Sequence, residues 1–214
     1  PNGYVYSKPV KADAVPLVNR GFVGAAGNSI LRAMPLGDAL FFFTTEGLYK
    51  LTGRSFENFA VQEFDLTFRL RGREMVCACD DALYAWGVNG IAKITQGGVE
   101  IISNAIEPAV WKVAYDAGDT WLATYAWATA YQSRHKVLFG VPTSGSNKNC
   151  ATVYVFDTRM QAWTTWAFKR AAGGDATEGH SCAAVRPSDD LLFLGQWTTG
   201  GGDTYVFKER RTFA

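Results

Sequence analysis

Asp38-Ala39-Leu40-Phe41-Phe42-Phe43-Thr44-Thr45-Glu46-Gly47-Leu48-Tyr49-Lys50-Leu51-Thr52 lies without a gap on Asp81-Ala82-Leu83-Tyr84-Ala85-Trp86-Gly87-Val88-Asn89-Gly90-Ile91-Ala92-Lys93-Ile94-Thr95. Asp, Ala, Leu, Gly, Lys and Thr match outright, and Phe/Tyr, Phe/Trp and two Leu/Ile pairs match in kind. Average residue usage gives about one identity by chance. The offset of 43 residues falls in the period of four-stranded propeller blades. A unit of this size cannot bury its own apolar faces, so the repeat predicts stacked sheets.

The chemistry inside the repeat predicts a hairpin. Asn89-Gly90, flanked by apolar runs, is the residue pair that a two-residue primed turn prefers, because both central residues need positive φ. Glu46-Gly47 occupies the same place in the first copy. In the outgoing strand Ile91, Lys93 and Thr95 alternate with Ala92 and Ile94, which predicts a half-buried strand. The incoming strand puts Phe41, Phe42 and Phe43 on both faces, as a strand sandwiched between neighbours requires.

Two less regular units follow. One runs from His135 to Pro142, through the polar stretch Thr143 to Asn149, into Ala151 to Asp157 and Trp163-Thr164-Thr165-Trp166. The other runs His180 to Val185, Asp189 to Gly195, a turn at Gly200-Gly201-Gly202, and Thr204 to Lys208. The expected fold is all-β: a β-propeller-like array of about four blade units with one short helix, filling residues 1–214 as one domain after an irregular lead-in over 1–35. The array is either closed within this chain or part of a larger propeller. The helix is expected from Asn104 as cap through Pro108, with Ile106, Ala109, Val110 and Val113 on one face. Trp121 to Tyr131, apolar on both faces, reads as the third unit's first strand or as a helix, and its Thr, Tyr and Trp favour strand.

Composition agrees with a single soluble β-rich domain, at 48% hydrophobic and 14% aromatic over 214 residues. No apolar run has the length of a membrane helix, so no membrane insertion is expected. The chain opens at Pro1 with neither initiator Met nor signal peptide, from which we expect a portion of a longer polypeptide. Against 20 acidic residues stand 21 basic ones, a balance that gives no field to steer the protein toward nucleic acid or membrane. Arg69, Arg71 and Arg73 alternate with Leu70 and Gly72, predicting one basic face that serves as a solvated or inter-subunit edge, or touches phosphate.

Candidate chemistry is sparse. Cys77 and Cys79 lack the spacer of a zinc or redox motif, and Cys150 and Cys182 have no neighbour in sequence, so all four read as small, buried structural thiols. His135 and His180 read as loop or strand-end residues. Asp80-Asp81 and Asp189-Asp190 suggest paired carboxylates for glycoside hydrolysis, but both stand just before an apolar run, where Asp forms turns. Asp116-Ala117-Gly118-Asp119 lacks the further ligands of a calcium loop. Gly24 to Gly27 with Asn28 has no strand-to-helix setting for phosphate. No catalytic, cofactor, metal or interface residue is assigned.

Pro35-Leu36-Gly37-Asp38 through Leu48-Tyr49-Lys50-Leu51-Thr52-Gly53, then Phe64-Asp65, Arg71-Gly72-Arg73-Glu74, Asp81 to Trp86 and Val153 to Arg159 with Trp163 resemble the propeller part of the tail nozzle (tail tubular B or hub) proteins of short-tailed bacteriophages. The likeness runs over roughly residues 20–170. It implies a non-enzymatic tail component of the virion, synthesised in the host cytoplasm and assembled as a ring around the DNA exit channel. The implied partners are copies of itself and an adjoining tail adaptor or portal-side protein, with DNA only as passing cargo. No cofactor and no catalytic residue carries over. Family members are several times longer, which fits a partial chain. Two rivals remain. A Kelch-like or lectin-like propeller binding a glycan or protein is suggested by Tyr154-Val155-Phe156-Asp157 with Trp163, although the double glycine of such repeats is missing from the first three units. A sialidase-like enzyme would need converging arginines, for which Arg71 and Arg73 alone are suggestive.

Overall fold

The computed structural model describes residues 2–8, 11–55, 57–145, 148–167, 179–196 and 206–209. A short ribbon of β1 (Gly3–Val5) and β2 (Arg20–Phe22) comes first. Blade 1 is β3 (Ile30–Leu36), β4 (Ala39–Thr44), β5 (Leu48–Thr52) and β6 (Ala60–Asp65). Blade 2 is β7 (Val76–Cys79), β8 (Ala82–Gly87), β9 (Gly90–Thr95) and β10 (Gly98–Ile101). Two helices follow, α1 (Glu107–Ala117) and α2 (Asp119–Tyr125). Blade 3 is β11 (Trp127–Tyr131), β12 (Lys136–Val141), β13 (Thr152–Asp157) and β14 (Ala162–Ala167). Blade 4, within the described residues, is β15 (Cys182–Arg186), β16 (Leu191–Gly195) and β17 (Val206–Lys208).

Every blade is an antiparallel meander in sequence order, and the first strands β3, β7, β11 and β15 pack on one another in turn. This is an all-β, propeller-type array. The aromatic triplet explains the stacking. Phe41 and Phe43 face blade 2 in the main core, while Phe42 turns the other way with Val23 and Tyr49. Trp86 is fully buried, with Phe139 and Tyr154 of blade 3 at ring distances of 5.9 and 5.8 Å. A second core of Trp127, Tyr131, Leu138, Val153 and Val155 takes Leu192 and Leu194 of blade 4. The strand β9, expected to be half buried, has Ile91, Ala92 and Ile94 fully buried. Neighbouring blades cover both of its faces.

The 43-residue offset holds in the backbone. At the β4–β5 and β8–β9 hairpins the central residues are Thr45-Glu46 and Val88-Asn89, one position before the expected Asn89-Gly90. Thr44 N–H donates to Gly47 O at 2.9 Å, and Gly87 pairs with Gly90. Positive φ sits on Gly47 (151°) and Gly90 (124°), and not on Asn89. Space also demands glycine: a Cβ at Gly47 would stand 2.7 Å from Leu66 Cα, and one at Gly90 would stand 2.6 Å from Ser103 Oγ.

Several expectations need correction. The lead-in over 1–35 is not irregular throughout: β3 begins at Ile30, and the β1–β2 ribbon caps the outer face of blade 1, with Tyr4 and Phe42 rings 5.4 Å apart. In place of one helix there are two, after a short 3-10 turn at Asn104–Ile106. Asn104 makes no cap; Ile106 takes that place with no side-chain bond, and Pro108 sits in the first turn. The expected apolar face holds, since Val110 is buried and Ile106, Ala109 and Val113 pack on the main core. Trp121 to Tyr131 divides into α2 and β11. The propensity of Thr, Tyr and Trp is overridden over the first half, where Leu122 is the buried residue of α2 and Gly118 (φ 78°) starts a fresh helical turn with Asp119 in it. Gly200 to Gly202 and Thr204-Tyr205 lie outside the described residues.

Candidate functional site

The turns at one end of the blades hold the acidic pairs. Asp80 and Asp81 form the β7–β8 turn, with Asp80 at φ 51°, and Asp190 (φ 54°) ends the β15–β16 loop. Both are turn formers, and each also reaches a neighbouring blade. His135 Nδ1, in the β11–β12 loop, donates to Asp80 Oδ1 at 3.1 Å, and Thr158 Oγ1 donates to Asp80 Oδ2 at 2.8 Å. Partial burial works against the charge, but the bonds from Thr158 and His135, with the charges of His135 and Arg159, hold the Asp80 carboxyl below its ordinary range. On the other side of the same loop Ser133 bonds the Asp190 carboxylate, and the Tyr131 hydroxyl lies 2.9 Å from the Asp190 carbonyl and 2.6 Å from Glu209 Oε2. The β11–β12 loop therefore clasps blades 2 and 4.

Sequence missed this clasp because its members are 55 and 78 positions apart. As chemistry it is a tie between blades: the Thr158 hydroxyl is bonded to the carboxylate and also lies 3.1 Å from the His135 carbonyl. Among the described residues no group of three His, Cys, Asp or Glu is placed to hold a metal ion. Asp116 pairs with Lys112 at 2.6 Å and Asp119 with Arg71, which accounts for the acidic residues of the suspected calcium loop.

The three arginines do not share a face. Their segment is a loop with a tight turn, Met75 N–H donating to Gly72 O at 3.0 Å. Arg69 and Arg73 are exposed, whereas the Arg71 side chain is 6% exposed and binds Asp119 and the Val88 carbonyl. Arg71 thus pins α2 to the blade 2 hairpin. Cys77, Cys79 and Cys150 are free and buried; burial pushes the Cys79 thiol up to about 11 and the other two higher still. Cys182 is exposed, contrary to the expectation of buried thiols. His180 is a buried bridge residue paired with Cys150. Asn28 is buried and accepts a bond from Thr45 Oγ1 at 3.0 Å, so it closes its loop onto blade 1.

Two surfaces leave large apolar side chains in water. On α1, Trp111 and Tyr115 are 51% and 90% exposed, one turn apart. On the N-terminal segment Val5, Leu17, Val18 and Phe22 are exposed, Leu17 almost completely. The α1–α2 surface carries Glu107, Asp116 and Asp119 against Lys112 and the Arg71 that binds Asp119, whereas the N-terminal segment carries Lys8, Lys11 and Arg20 against Asp13. These patches are apolar and opposite in charge.

No protein-family model matches the chain, and no curated protein matches it. Among solved structures, the GH74 xyloglucanase from Xanthomonas campestris superposes with a TM-score of 0.45 at 16% identity, covering 84% of this chain and 29% of that one. The chain thus spans less than a third of that protein's length. Among the described residues no helix is long and apolar enough to cross a membrane.

Proposed function

We propose that this chain is a non-enzymatic structural component of a bacteriophage tail, one subunit of a nozzle or hub ring around the DNA exit channel. The reading starts from the residue phrases shared with short-tailed phage nozzle propellers, and its physical support is the pair of exposed patches. Trp111 and Tyr115 on α1, and Leu17, Val18 and Phe22 on the N-terminal segment, are large aromatic and aliphatic groups of the kind enriched at interface centres. Two different patches of opposite charge favour head-to-tail contact between identical chains, and such contacts close into a ring when the rotation permits. The net charge of +1 suits a wall that DNA must slide past, since each added phosphate contact would tighten its grip.

The acidic pairs are used as turns and blade ties, which supports the non-enzymatic part of the proposal. Electron microscopy of the purified protein, and of virions with an antibody to it, tests the proposal. The expected result is a ring of several copies, located at the tail. A monomer at high concentration that is missing from virions and retained on a glycan array would instead favour the Kelch-like or lectin-like module.

A further inference from the structure

A hollow of about 190 Å³ opens between blades 2 and 3, lined by Tyr84, Lys93, Glu100, Ile102, Phe156 and Gln161 among others. Tyr84 and Glu100 both stand opposite Lys93 or beside it in the sheet: Tyr84 pairs with Lys93 across β8–β9, and Glu100 pairs with Lys93 across β9–β10. Cross-strand partners share a face, so a hydroxyl, an ammonium and a carboxylate form one row. Tyr84 is only 2% exposed, and among the described residues its hydroxyl has no hydrogen-bond partner. Among those residues the side chains of Lys93 and Glu100 likewise have neither hydrogen bond nor ion pair. Burial foremost, with nearby acidic groups adding to it, pushes the Tyr84 hydroxyl up to about 12, so it remains an O–H donor at neutral pH.

Blade 1 shows what the same row looks like when filled. There Phe41 and Lys50 replace Tyr84 and Lys93, and a bulge in β6 brings Phe64 onto Phe41, edge to face at 5.0 Å. The Lys50 ammonium lies 5.8 and 5.9 Å from the two ring centroids, a cation held by aromatic faces. In blade 2 the outer strand has no such bulge, Ile102 follows directly after β10, and the space that Phe64 fills stays open.

We propose that this hollow binds a small zwitterion of the free amino-acid class: the Tyr84 hydroxyl and the Lys93 ammonium take its carboxylate, and Glu100 takes its ammonium. The Phe156 ring, 5.9 Å from that of Tyr84, and Ile102 offer an apolar wall for a short side chain. The volume is below the usual range for drug-sized ligands, roughly 300 Å³ upward, which limits the occupant to a small solute. This inference stands apart from the ring assembly, and either can fail without the other.

The test is a titration of the protein with a panel of free amino acids, followed by NMR at the backbone amides of Tyr84, Lys93 and Glu100. The N-acetyl methylamides of the same amino acids and methyl glucoside serve as uncharged controls. At least one amino acid is expected to give saturable shifts with a roughly millimolar Kd, and the controls none. Lys93→Met and Glu100→Gln should each weaken binding about tenfold or more with unchanged melting, and Ile102→Phe should abolish it by filling the hollow. No saturable shift from any amino acid, equal shifts from the controls, or wild-type binding by both Lys93→Met and Glu100→Gln would overturn the proposal.

Discussion

Blades 1 and 2 carry the same 43-residue pattern and use it differently. Among the described residues blade 1 has a neighbouring blade on one side and covers its other face with the β1–β2 ribbon, through Tyr4, Val23 and Phe42. Blade 2 lies between two blades, and every residue of β8 is buried. At the first turn of each, the positive φ falls on Gly37 (61°) in blade 1 and on Asp80 (51°) in blade 2. Glycine makes the turn and leaves room for the Gln96 side chain of blade 2. Aspartate accepts some strain to make the same turn, and its carboxylate then ties blade 2 to blade 3. Identical local requirements are thus met by residues chosen for what lies next door.

The largest effect expected from this difference is in the cores. Truncating Trp86 to Ala should cost on the order of 4–5 kcal/mol, and Phe42 to Ala about 3 kcal/mol, as large-to-small changes at a fully enclosed site and at one closed by a two-stranded ribbon. Chemical denaturation would measure both. If Phe42→Ala costs as much as Trp86→Ala, the ribbon packs as firmly as a blade.

The hairpin glycines come next. Gly47→Ala should destabilise by about 2–3 kcal/mol, because its Cβ would meet the backbone at Leu66 Cα. Gly90→Ala should cost about 1–2 kcal/mol, since the Ser103 hydroxyl facing it can rotate away. Strained backbone of this kind costs roughly 1–3 kcal/mol. Thermal melts of the two variants side by side check the order, and a reversal would mean that Ser103, which accepts the Ile91 N–H at 3.0 Å, is harder to move than the Leu66 backbone.

Smallest is the clasp. Asp80→Gly makes blade 2 resemble blade 1 at this turn. It should cost below about 1 kcal/mol, as for other partly exposed charged ties. Its signature is in the pH dependence. The folded carboxyl of Asp80 titrates below its ordinary value of 3.8, so its contribution is present above that value and is lost as pH falls through the lowered one. The stability difference between wild type and Asp80→Gly should therefore hold steady above about pH 4 and shift as pH falls below it, by the lost contribution of the carboxylate. A constant difference across that window would show that the tie does not depend on the charge.

Much of the array was legible in order. The Phe41-Phe42-Phe43 triplet announced a strand covered on both faces, and the paired copies announced stacked sheets, because period and residue size are local properties. The expected hairpin lies one residue too late, since Asn-Gly is a strong turn signal and nothing in sequence shows that Ser103 crowds Gly90. Trp121 to Tyr125 looks like strand because Thr, Tyr and Trp prefer it; it is helix in the structure, where Leu122 packs into the main core. Arg69, Arg71 and Arg73 looked like one face because alternation was assumed where the chain in fact turns.

By itself, then, the sequence determined the repeat, its strands and turns, and the aromatic positions that must be buried, since each follows from side-chain size, alternation and the φ that a residue tolerates. Only the tertiary structure decided which Asp meets which His, which lysine rests on rings and which stands beside a hollow, and which apolar groups remain in water. Those outcomes depend on contacts between residues tens of positions apart. A chain order sets no such distance until the blades have stacked.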